Sequence, residues 1–351
     1  MTADATTPGV NGRACKNLLV RAPNWLGDAV MALPALGALR AAFADARITI
    51  AATSSVAPLF EEDTLAAPDD VIAITRGGHE AAALRSGGYD AVLLLPNSFR
   101  AAWTVRRAGI AERWGYSANL RSRLLTRAIP RPAARHLHQS AYYNALVRGL
   151  GSEVSDVPPR LSIRPETAAR AEALLARQGI TGSTPIVGFA PGAAYGHAKR
   201  WPPRRVADVV ARVTRERGAV CLLVGARADG DAGREIESSL PADVRPVNLI
   251  GRTDLRLLIG VLGRCSAFVS NDSGAMHLAA AIGVPVAAIF GPTDDRVTAP
   301  LGDHDVLIHQ VFCRPCMLRD CPIDHRCMRG ISADAVFDAV ARRLEKSRRH
   351  V

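Results

Sequence analysis

Lysine is almost missing from this chain: Lys16, Lys199 and Lys346 are the only three in 351 residues, so the net charge of +11 is carried by arginine. Aromatic residues make up 5%, too few for a basic stripe interleaved with stacking rings, and no nucleic-acid partner is expected. No G-x-G-x-x-G follows the first apolar run, which disfavours a standard nicotinamide- or flavin-binding unit. Residues Met1 to Lys16 hold an acidic residue and no apolar run of the kind a targeting signal needs. The longest nearly apolar stretch, Ala275 to Phe290, is interrupted by His277 and Pro285, so a cytoplasmic chain without a membrane span is expected.

A hydrophobic content of 48% with 22% charged residues is ordinary for a globular enzyme, and the length exceeds what one typical core organises. Two domains follow, over 16–160 and 161–347. Leu18-Leu19-Val20, Ile48-Thr49-Ile50, Val71-Ile72-Ala73-Ile74 and Ala91 to Leu95 read as buried parallel strands. Helices are expected to begin near Asp28, His79 and Ser98, with another over His136 to Leu150, and the turn-rich Gly151 to Pro159 suits a linker. A second set follows, with a helix from Glu166 to Gln178 and strands Pro185 to Ala190, Ala219 to Val224, Ala267 to Ser270 and Val286 to Phe290. The expected fold is α/β, two Rossmann-like doubly wound domains facing a central cleft, with ligands at the C-terminal strand ends.

Three segments at such strand ends carry chemistry. Ser270-Asn271-Asp272-Ser273-Gly274-Ala275-Met276-His277 sets backbone N–H groups, a carboxylate, a hydroxyl and an imidazole at a helix N-terminus, where phosphates bind. Asp and Ser are also ordinary caps there. Arg21-Ala22-Pro23-Asn24-Trp25-Leu26-Gly27-Asp28 follows the first strand; Asp28 either takes a proton from an attacking hydroxyl or caps the next helix. Phe189 to Pro202 supplies glycines, the point charge of Lys199 suited to a diphosphate, and the donor fork of Arg200, with Trp201 read as core.

Four cysteines, Cys313, Cys316, Cys321 and Cys327, are spaced C-x2-C-x4-C-x5-C, with His325 as a spare ligand. The set suits a structural zinc ion or an iron–sulfur cluster, or else reduced thiols with no metal, because the second C-x2-C of a ribbon is absent. Cys15, Cys221 and Cys265 read as inert, and disulfides are not expected in a reducing compartment.

The motifs Arg21 to Asp28, Leu95-Pro96-Asn97-Ser98-Phe99, Pro191 to Pro202, Asn271 to His277 and Phe290-Gly291-Pro292-Thr293 together resemble the ADP-heptose:lipopolysaccharide heptosyltransferase family. The likeness runs from about Lys16 to Ala341. It implies a GT-B fold and an inverting glycosyl transfer from ADP-heptose that requires no metal or other cofactor, with any ion at the cysteines structural. In that picture Asp28 is the general base, Lys199 neutralises the diphosphate with Arg200 beside it, Asp272, Ser273 and Gly274 hold phosphates or ribose, and His277 braces the turn or touches the donor. Asp272 is assigned to orientation, since a carboxylate does not neutralise a phosphate. The implied acceptor is a lipid A–Kdo–heptose core, met by Asn97, Ser98 and Arg100 and by arginines along 100 to 135. Basic residues also suit an anionic inner leaflet. Within the family, Leu95 to Phe99 and Ala193 to Trp201 favour transfer onto a heptose over the preceding step. The alternatives are that preceding heptosyl transfer or a related glycosyl transfer, or a nucleotide-sugar epimerase of the same architecture.

Overall fold

The computed structural model describes residues 15–75 and 80–348, with side chains to 345. The chain divides into two compact units, Met1–Leu161 and Ser162–Val351.

In the first unit six parallel strands form one sheet: β1 (Asn17–Arg21), β2 (Arg47–Thr53), β3 (Asp70–Ile74), β4 (Ala91–Leu94), β5 (Glu112–Tyr116) and β6 (Arg127–Ile129), in the order β3-β2-β1-β4-β5-β6. Val20 stands opposite Ile50 on one side and Leu93 on the other. Buried on both faces, Leu18-Leu19-Val20 of β1 and all of β4 are continuous apolar runs, as suits a covered parallel strand. Helices α1 (Leu26–Met31), α2 (Leu33–Ala42), α3 (Phe99–Arg107) and α4 (Gln139–Arg148) belong to this unit, and α4 packs on α1 and α2. The helix start expected near His79 lies outside the described residues; the described part runs Glu80–Arg85.

The second unit repeats the plan with β7 (Ile186–Ala190), β8 (Val220–Leu223), β9 (Val247–Asn248), β10 (Ala267–Asn271), β11 (Val286–Phe290) and β12 (His304–Ile308), in the order β9-β8-β7-β10-β11-β12. Its core is built on β7, β10 and β11 and on helices α5 (Pro203–Arg217) and α7 (Ala333–Arg348), while α6 (Gly274–Ile282) follows β10. Trp201, 1% exposed, belongs to this core and donates its indole N–H to the Ile331 carbonyl at 3.1 Å.

In each sheet the strand order reverses beside the unit's own first strand, between β1 and β4 and between β7 and β10. Connections leave such a switch point in opposite directions and open a crevice at the carboxyl ends of the strands. All the motifs above except the cysteines are loops at strand ends, four of them flanking these two points.

Candidate active site

In the first unit the turn after β1 leads into α1. Its N-cap is Trp25, whose side chain caps nothing, and Asp28 stands in the first helical turn. Asp28 therefore does not occupy the N-cap position; its negative charge raises the buried phenol of Tyr143 on α4. Arg21, 4% exposed, fixes the turn itself: its guanidinium donates to Glu80 Oε1 at 3.1 Å, Asn24 Oδ1 at 2.9 Å and the Ala22 carbonyl at 2.5 Å. Arg100 reaches the other Glu80 oxygen at 3.6 Å. These residues with Pro96 and Ser98 line a cavity of about 190 Å³.

The expected acceptor residues have internal duties. Ser98 accepts from the Ala101 N–H at 3.2 Å and is the N-cap of α3. Asn97 donates to the Tyr142 hydroxyl at 2.8 Å and accepts from Arg121 at 3.1 Å. Arg100 is exposed and paired only on one edge. Arg121, placed by its sequence neighbours in an outward basic series, is instead 0% exposed and donates to the carbonyls of Tyr116 and Pro96. Desolvation in that position pushes its guanidinium down to about 10.

In the second unit the loops after β7, β10 and β11 converge. Lys199 Nζ lies 2.6 Å from Asp272 Oδ2, the same oxygen accepts from the Thr293 hydroxyl at 2.7 Å, and the ammonium stands 4.7 Å from the Tyr195 ring centre. Asp272 thus pairs directly with Lys199, a finer role than orientation alone. Asn271 donates to the Pro191 carbonyl at 2.7 Å and accepts from the Trp201 N–H at 3.2 Å, which shapes the Lys199 loop from β10. Ser273 is the N-cap of α6 without a side-chain cap, Gly274 is its first residue and His277 is buried one turn on. Arg200 is 3.5 Å from Asp229, whose other oxygen accepts from the Ala226 N–H at 3.0 Å. Gly192 faces that carboxylate; a Cβ there would lie 2.1 Å from Asp229 Cγ.

The cysteine segment straps this loop down. Tyr195 donates to the Met317 carbonyl at 2.9 Å, Ala198 N–H donates to the Arg319 carbonyl at 2.9 Å, and Arg314 bonds Asp295 at 2.6 Å and the Gly291 carbonyl at 3.0 Å. Cys327 is buried, and burial, then the nearby Cys313, Cys316 and Cys321, push its thiol up. Among the described residues no group of three or more His, Cys, Asp or Glu side chains is arranged to hold a metal ion. Burial raises Cys15 to about 11 and Cys221 and Cys265 to about 12, which keeps those thiols protonated and unreactive.

Thr293, Tyr195, Asn271, Arg21 and Tyr143 had no assigned role from sequence. All but Tyr143 stood within quoted motifs, but a threonine 21 residues from its carboxylate shows its partner only once β10 and β11 lie side by side.

Two doubly wound units, each with polar loops gathered at its switch point, define a glycosyltransferase of the GT-B class. The glycosyltransferase family 9 (heptosyltransferase) profile matches residues 80–326. Lipooligosaccharide heptosyltransferase 2 of Haemophilus influenzae is 30% identical over 308 residues, 84% of this chain and 89% of that protein. Lipopolysaccharide heptosyltransferase 2 of Escherichia coli K12 is 31% identical over 300 residues, 81% of this chain and 85% of that protein. The solved E. coli ADP-heptose LPS heptosyltransferase II superposes with a TM-score of 0.79 at 27% identity, covering 95% of this chain and 99% of that one. The chain belongs to glycosyltransferase family 9, the heptosyltransferases, and its likeness within the family is to the type 2 enzymes. The epimerase alternative falls with that membership.

Proposed function

We propose that this chain moves L-glycero-D-manno-heptose from ADP-heptose onto a heptose of the lipopolysaccharide inner core, with inversion and without a metal ion. Asp28 accepts the proton of the acceptor hydroxyl; that oxygen forms the new bond to the anomeric carbon as the bond to the diphosphate oxygen breaks and ADP leaves with the electron pair. Lys199 meets the diphosphate, and Ser273 and Gly274 offer hydroxyl and backbone N–H donors at the start of α6. Arg200 adds charge beside them and His277 braces the turn. The observation that carries this reading is the Lys199–Asp272–Thr293 cluster, which sets an ammonium, paired with a carboxylate, at the switch point of the second unit.

On the acceptor side, Arg100 meets an anionic group of the lipid A–Kdo–heptose core, while Asn97 and Ser98 shape the turn that presents it. The enzyme works on the cytoplasmic side against the anionic leaflet that carries its acceptor. No described helix is long and apolar enough to cross a membrane. The test is a transfer assay with ADP-heptose and heptosylated acceptor: Asp28→Ala should lose turnover, by at least about a hundredfold as expected for a general base, and keep its affinity for ADP-heptose. Wild-type turnover in that variant would remove the base assignment.

A further inference from the structure

The cavity in the first unit is lined by two guanidinium groups and one carboxylate. Glu80 is 5% exposed, and its oxygens go to different arginines: Oε1 accepts from Arg21 Nε at 3.1 Å, and Oε2 lies 3.6 Å from Arg100 Nη2. Arg21 is committed to the fold, since its other two nitrogens donate to the Ala22 carbonyl and to Asn24 Oδ1. Arg100 ion-pairs with Glu80 alone among the described residues, through one nitrogen, and its side chain is 57% exposed. One positive charge is therefore left over at the cavity, on the arginine that reaches water. Two neutral donors line the same space. Asn24 accepts from Arg21 through Oδ1, so its NH2 end is turned away from that arginine, and no described residue accepts from it. Ser98 Oγ accepts from the Ala101 N–H and keeps its own O–H to donate.

A half-exposed ion pair such as Glu80–Arg100 adds little to stability, and Arg21 already supplies the buried carboxylate with its counter-charge. We propose that the cavity is a carboxylate subsite for the acceptor, with Arg100, Asn24 and Ser98 as its donors and Glu80 as the positioning residue that aims Arg100. The proposal rests on reading the first unit as the acceptor side, and it names the group met there: the carboxylate of a sugar acid. A single surplus charge matches a carboxylate. A phosphate monoester carries roughly −1.5 to −2 at pH 7 and would leave negative charge unmatched beside Glu80. A planar carboxylate also takes two parallel N–H bonds from a guanidinium, and Glu80 occupies only one nitrogen of Arg100.

The test is steady-state transfer by the full chain onto three heptosylated acceptors: the intact one, one with its sugar carboxyls reduced to alcohols, and one with its phosphates removed. Wild type should lose about tenfold in kcat/KM on the reduced acceptor, as for one hydrogen bond to a charged group, and less on the dephosphorylated one. Arg100→Gln should raise KM for the intact acceptor about tenfold and leave KM for ADP-heptose where it was. Asn24→Ala and Glu80→Gln should act in the same direction, a few-fold each. On the reduced acceptor these differences from wild type should vanish, because the group the residues meet is gone; a merely structural role would lower transfer to all three acceptors alike. Glu80→Gln also takes the counter-charge from buried Arg21, so Glu80→Asp, which keeps the charge and draws it back by one methylene, carries that part if Glu80→Gln melts early. Wild-type acceptor KM in the folded Glu80 variant removes the positioning role. Equal use of intact and reduced acceptors by wild type, or an Arg100→Gln loss that persists on the reduced acceptor, overturns the carboxylate subsite. Failure of wild type to transfer heptose to the intact acceptor overturns the acceptor reading itself.

Discussion

Lys199 and Asp272 are each largely shielded from water, with side chains 12% and 6% exposed. Removing either leaves the other charged and unpaired, which costs about 3–5 kcal/mol in a buried pair. The two truncations nevertheless differ in function. Lys199→Ala should weaken ADP-heptose binding about tenfold or more in calorimetry, because the diphosphate loses its point charge; unchanged affinity would count against that role. Thr293→Val keeps the charge and removes one donor to Asp272, so affinity should fall only a few-fold. At this scale the sequence was legible where a residue type is rare. A lysine in an arginine-rich chain stood out, whereas Thr293 is an ordinary residue whose partner lies on another element. Asn97 and Ser98 were placed at the right strand end, and only the structure showed Asn97 bonded to Tyr142 and Arg121 and Ser98 capping its own helix.

Among the elements, the turn after β7 and the cysteine segment depend on one another. Gly196 lies so close to the strap that a Cβ would stand 2.3 Å from the Arg319 carbonyl oxygen, which is backbone and cannot swing aside. Gly196→Ala should therefore force the loop off its Ala198–Arg319 hydrogen bond, lower the thermal melting point by the equivalent of about 1–3 kcal/mol, and reduce the stabilisation that added ADP gives. An unchanged melting point with full ADP stabilisation would show that the strap is not needed. The cysteine spacing drew attention to this segment as a ligand set; its contacts with Tyr195, Ala198 and Gly291 make it a clasp on two site loops. Central strands were legible as unbroken apolar runs, since both faces are covered. Strands β5, β6, β9 and β12 were not, because Glu112, Arg113, Arg127, His304 and Asp305 interrupt the apolar pattern and β9 is two residues long.

For the whole molecule, the net charge of +11 overstates the field available to a partner. Arg21, Arg121 and Arg343 are buried and bonded to carboxylates or carbonyls, so part of the arginine excess builds the fold. The sequence carried the repeated βαβ plan and the sign of the charge, but could not tell structural arginines from outward ones. What remains outside includes α3, where Arg100, Arg106 and Arg107 are exposed beside Phe99 and Trp103, themselves 48% and 45% exposed and stacked at 6.4 Å. Exposed rings flanked by arginine suit the interface of an anionic bilayer, where each cation adds about 1 kcal/mol. The chain should co-sediment with vesicles containing phosphatidylglycerol and not with phosphatidylcholine alone, and binding should weaken as salt rises. Arg106→Gln with Arg107→Gln should lower partitioning roughly thirtyfold, about 2 kcal/mol, with transfer to a detergent-dispersed acceptor retained. Equal partitioning of wild type and double variant would exclude this helix as the contact, because the two charges next to the exposed rings are the ones an anionic leaflet must meet first.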